Sequence, residues 1–68
     1  MPKGIKIARF FPGYALTWSG GKFIRLWKGV PGRWVECEVY ALPSKPSSIL
    51  VVRTMAHIIR MQSSPACA

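Results

Sequence analysis

Sixty-eight residues carrying a formal net charge of +8, half of them hydrophobic and 12% aromatic, describe one small basic domain. That much apolar side chain argues against intrinsic disorder, and two cysteines are too few for a disulfide framework. A chain of this size buries only about 60% of its unfolded surface, so its core is marginal without a metal, disulfides or a partner chain.

Residues 5–11 read as a first strand, broken by Pro12-Gly13. Tyr14–Trp18 follows as YALTW, with Tyr14, Leu16 and Trp18 on one side and Ala15 and Thr17 on the other. Ser19-Gly20-Gly21 is a hairpin signal, because glycine supplies the positive φ that tight turns need. Residues 22–28 and 33–42 form two further strands around Pro31-Gly32, which suits the centre of a type II turn. Pro43 and Pro46 cannot continue a ladder and end the sheet. Ser47 or Ser48 then caps a helix that runs to about Gln62. The expected fold is α+β: a three- to four-stranded antiparallel sheet with one C-terminal helix packed on one face. Residues 1–62 form the single domain, and 63–68 are expected to be a flexible tail.

The hairpin of residues 22–40 makes a prediction about faces. If Val30 and Arg33 flank the turn, Ile24 pairs with Val39, Leu26 with Cys37 and Arg25 with Glu38. A four-residue loop, 29–32, pairs Arg25 with Glu36 instead. Both registers give an aliphatic face of Ile24, Leu26, Val35, Cys37, Val39 and Ala41. The other face holds Phe23, Arg25, Trp27, Trp34, Glu36, Glu38 and Tyr40. A two-residue Gly20-Gly21 turn adds Tyr14, Leu16 and Trp18 to the aromatic side. One helix covers only one of these faces. The helix is itself rich in apolar residues, with Arg53, His57 and Arg60 confined to a narrow stripe. Leu50, Met61 or both are therefore expected to lie against another chain or a partner.

The charge is unevenly spread. Residues 1–35 hold Lys3, Lys6, Arg9, Lys22, Arg25, Lys28 and Arg33, with no acid before Glu36. Such a one-signed field attracts nucleic acid, anionic lipid or an acidic protein surface. No apolar run is long enough to span a membrane, and the basic N-terminus, interrupted by Pro12-Gly13, does not read as a secretory signal. Cys37, inside a strand pattern, reads as a small hydrophobe. With Cys67 in the tail, a reducing, cytoplasmic compartment is the simpler expectation.

Catalytic chemistry finds little support in the residues. Glu36 and Glu38 would share a face about 7 Å apart, but Arg25 beside them favours a structural role. His57 sits between arginines on the helix stripe. Ser19-Gly20-Gly21-Lys22 lacks the spacing of a phosphate loop and precedes a strand. Cys37, His57 and Cys67 have no paired metal-ligand spacing. No enzyme activity, metal or cofactor is expected.

What remains is the interleaving of Trp18, Phe23, Trp27, Trp34 and Tyr40 with Lys22, Arg25, Lys28 and Arg33. Rings that stack on bases, beside cations that hold phosphates, are the usual means of binding nucleic acid strands. Any single ring serves equally well as core. The expected function is non-catalytic binding of nucleic acid or a nucleoprotein complex. Lys22, Arg25, Lys28 and Arg33 would meet phosphates, Trp27 and Trp34 would stack, and Arg53 and Arg60 would add a second contact. The alternative is a small inhibitor or adaptor, of the kind phages and mobile elements encode, docking its basic face on an acidic host protein. A second alternative is an oligomeric structural subunit, such as a homodimer formed through the helix.

Overall fold

A computed structural model of the chain describes residues 3–63. Four strands, β1 (Ile7–Phe11), β2 (Tyr14–Trp18), β3 (Phe23–Lys28) and β4 (Val35–Ala41), are followed by one helix, α1 (Ser48–Ser63). The strands form one antiparallel sheet in the order β1-β2-β3-β4. Each strand therefore pairs with its sequence neighbour, as short connections favour. The expected α+β architecture is the observed one, with all four strands present.

The helix lies on one face of the sheet. Leu16 and Trp18 from β2, Ile24 and Leu26 from β3, and Leu42 just past β4 meet Val51, Met55 and Ile58 of α1 in a single buried cluster. Positions 51, 55 and 58 fall at helical spacing, so one stripe of α1 supplies its whole share of the core. Burying side chains of this size contributes about 1.5–3 kcal/mol each. Ile7, Tyr14, Tyr40 and Ile59 pack around the cluster.

Two expectations about faces are corrected. Across the β2–β3 connection Trp18 pairs with Ile24, not Phe23. The connection has one residue more than a two-residue turn allows, and an odd change of length swaps faces. Tyr14, Leu16 and Trp18 thus join the aliphatic residues Ile24 and Leu26 under the helix. The Trp18 indole closes the loop by donating to the Gly21 carbonyl at 2.8 Å.

The β3–β4 pair follows the first expected register only near its turn, where Lys28 faces Val35 and Trp27 faces Glu36. The ladder then shifts by one between Leu26 and Trp27, so Cys37 is the extra residue of a bulge. Beyond it Leu26 faces Glu38, Arg25 faces Val39 and Ile24 faces Tyr40. Val39 and Ala41 therefore leave the helix side, while Glu38 and Tyr40 enter it. Cys37 is exposed rather than packed. Glu36 and Glu38, expected side by side, lie on opposite faces.

The local signals at turns and caps operate as expected. Arg33 N–H donates to the Val30 carbonyl at 2.8 Å across Pro31-Gly32, and Gly32 has the positive φ, +86°, that a type II turn demands at its third position. Gly29 is more constrained: its φ is +129°, and a Cβ there would overlap the Arg33 carbonyl oxygen. Ser47 is the helix cap, its Oγ accepting from Leu50 N–H at 3.1 Å. The expected tail, apart from Ser63 at the helix end, lies outside the described residues.

Candidate functional site

The sheet face away from the helix carries Ala8 and Phe10 of β1, Ala15 and Thr17 of β2, Phe23, Arg25 and Trp27 of β3, and Glu36, Val39 and Ala41 of β4, by the pairing of the strands. Its centre is closed by Trp27. The indole N–H reaches across to the Thr17 hydroxyl at 2.8 Å, and Ala15 and Thr17 are almost fully buried although no helix covers them. Trp27 is half-buried in consequence, part roof and part surface. Phe10 and Phe23 remain 60% and 46% exposed at either side.

Arg25 lies beside Trp27 on this face and is held by Glu36, Nη1 to Oε1 at 3.0 Å. The expected partnership of Arg25 with Glu36 is thus present as an ion pair, although the residue across the ladder is Val39. Both side chains are substantially exposed, so the pair contributes at most about 1 kcal/mol. Glu38 lies on the other side and accepts a short hydrogen bond from the Tyr40 hydroxyl. That bond to a carboxylate, with some burial, pushes the Tyr40 phenol up to about 12.

The remaining sequence-predicted residues scatter around this face rather than filling it. Lys22 and Lys28 flank β3 at its two ends and are exposed; alternation turns both toward the helix side. Arg33 is exposed in the β3–β4 loop, and Trp34 next to it is half-buried. Trp18 and Tyr40, counted among the rings, belong to the helix side. Arg53 and Arg60 are exposed on the helix, in the other layer of the molecule. The structure brings Arg25 and Trp27 together on one face, and it does not bring the two helix arginines to them.

Sequence reasoning passed over Phe10 and Phe11. In an up-and-down sheet the first and third connections share one end, and here Gly29 N–H donates to the Gly13 carbonyl at 3.1 Å. The two Pro-Gly turns are therefore neighbours. Phe10 meets Trp34 with ring centroids 6.1 Å apart and planes tilted by 45°, while Phe11 stacks on Tyr14 at 4.8 Å. Together with Pro12, Val30 and Pro31 they line an open groove of about 560 Å³ at this end of the sheet. The signal was available in the repetition of Pro-Gly, once after two phenylalanines and once before Trp34.

On the helix, Ile49 and Val52 are exposed beside Arg53, and Met61 is half exposed. Leu50, expected to be surplus, is half-buried. Among the described residues no cluster of histidine, cysteine or carboxylate side chains has the makings of a metal site, and no helix is long and apolar enough to cross a membrane. The chain matches no family model, no curated protein and no solved structure, which leaves the chemistry of these side chains as the guide to function.

Proposed function

We propose that the chain is a non-catalytic binding protein that holds nucleic acid, alone or within a nucleoprotein complex, against the sheet face its helix leaves open. One observation carries the reading: Phe10, Phe23, Trp27 and Trp34 lie at this face or its end, and its single acid, Glu36, is paired with Arg25. Rings beside one already paired carboxylate, on a chain of net charge +8, suit a ligand that is both aromatic and polyanionic. In this reading Arg25 contacts phosphate from the face, and Lys22, Lys28 and Arg33 do so from its ends. Trp27 and Trp34 supply ring contacts. Trp27, held through its N–H by Thr17, can use only the part of its ring left exposed.

The test is affinity as a function of salt. The slope of log K against log salt should be steep for the wild type, and Lys28→Ala and Arg33→Ala should each flatten it by about 0.7–0.9. Melting temperature measured on the same variants separates lost contacts from lost fold. A wild type without nucleic-acid affinity at low salt overturns the proposal.

A second reading is favoured by the helix. Ile49, Val52 and Met61 present apolar surface next to Arg53 and Arg60, which suits an acidic protein partner bound by a small inhibitor or adaptor. Capture of one protein from lysate that persists after nuclease treatment, and is lost in Val52→Asp, would support this reading over the first.

A further inference from the structure

We infer that the groove between the two Pro-Gly turns is a receptacle for one unpaired base of a single strand, with Phe10 as its stacking residue. This rests on the nucleic-acid reading and adds a site to it. The groove's walls are rings and prolines, with hardly a polar group among Phe10, Phe11, Pro12, Val30, Pro31 and Trp34. Its volume, about 560 Å³, falls in the roughly 300–1,000 Å³ range of small-molecule clefts. Phe10 and Trp34 are inclined to one another rather than stacked, and the high exposure of Phe10 leaves ring surface available to a third flat group.

The surroundings choose the occupant. Each segment that lines the groove adjoins an exposed cation in sequence: Arg9 precedes Phe10 and Lys28 precedes Gly29, both turned by alternation to the helix side at this end of the sheet, and Arg33 precedes Trp34 in the loop. No acid occurs anywhere from residue 9 to residue 34. A proline-rich peptide would use the rings but has no need of three cations. A second copy of this chain would bring those cations toward their own counterparts, which is repulsive. A base attached to a sugar–phosphate backbone uses both, with its ring in the groove and its phosphates at the rim. Bases stacked inside a duplex cannot enter, so the site selects single strands.

The experiment compares binding of the full chain to a short oligothymidylate, to a strand of the same length carrying abasic sugars, and to a duplex. Wild type, Phe10→Ala and Phe10→Leu are measured at two salt concentrations. The wild type should prefer the base-bearing single strand to both other ligands. Both substitutions should weaken that binding by about 5- to 150-fold, the range expected for one stacked base. Neither should change affinity for the abasic strand or the salt slope. Circular dichroism checks the fold, and Phe10→Leu keeps apolar bulk while removing the ring. Equal wild-type binding to all three ligands would overturn the groove site and leave the nucleic-acid reading standing. So would wild-type behaviour of Phe10→Leu, or a wild-type dimer that Phe10→Ala dissociates. Absence of binding to any of the three removes the reading and the site together.

Discussion

Arg25 and Glu36 meet at 3.0 Å with their side chains 42% and 44% exposed, so the pair is a surface contact whose energy is small and whose electrostatic effect is local. Glu36 is the acid nearest the rings of the open face, and it occupies the guanidinium that the proposed reading assigns to phosphate. Replacing it removes both a competitor and a repulsive charge. Glu36→Gln is therefore expected to raise nucleic-acid affinity and to steepen the salt slope by about 0.7–0.9, as one more phosphate contact becomes available. Stability should fall by no more than about 1 kcal/mol. Filter-binding titrations over a salt series and a thermal melt check both parts. Unchanged or weaker binding would mean that Arg25 does not touch the ligand. The same carboxylate shows what one residue can hide: Glu36 and Glu38 look like neighbours on a strand, yet Cys37 between them is the bulge and sends them to opposite faces.

Elements were legible where local chemistry decides them. Paired prolines and glycines marked every break of the sheet, and a serine followed by an apolar run marked the helix start. Faces were not, because they depend on the parity of connections. Ser19, Gly20, Gly21 and Lys22 all tolerate a loop, and nothing local says whether Trp18 meets Phe23 or Ile24. Apolar agreement could have decided it, since only the observed pairing puts Leu16, Trp18, Ile24 and Leu26 together. The bulge had no such signal, since Cys37 suits either face. The groove depended on knowing that two distant turns are neighbours, which follows from the strand order and not from either turn. At the helix, sequence left Ser47 and Ser48 as equal candidates for the cap, and the hydrogen bond selects Ser47. The first turn of α1 has no acid to support it, so the cap matters more here. Ser47→Ala should cost about 1 kcal/mol, a fall of about 4–8 °C in melting temperature for a domain of this size. Ser48→Ala should change it little. Equal effects would mean that the cap is not where the hydrogen bond puts it.

At the scale of the molecule, two layers separate two sets of cations. The domain is a slab of 35 × 28 × 15 Å by its Cα atoms, with Arg53 and Arg60 on the helix and Arg25 on the far side of the sheet. A strand lying on the open face is thus about one slab thickness from the helix arginines. At physiological ionic strength the Debye length is about 8 Å, so their field is largely screened there; at 0.01 M it is about 30 Å, and the whole charge of the protein is felt. The double substitution of Arg53→Ala with Arg60→Ala should therefore leave affinity nearly unchanged at 0.15 M salt. It should weaken binding measurably only at the lowest salt. Lys28→Ala and Arg33→Ala, at residues next in sequence to the groove's Gly29 and Trp34, should weaken binding at both. The comparison separates a contact from a distant field without needing a structure of the complex. If the helix pair proves as costly as Lys28 and Arg33 at 0.15 M, the ligand either wraps both layers or sits on the helix. Loss of binding in the helix pair alone would assign the interface to α1 and favour the protein-docking reading over the open sheet.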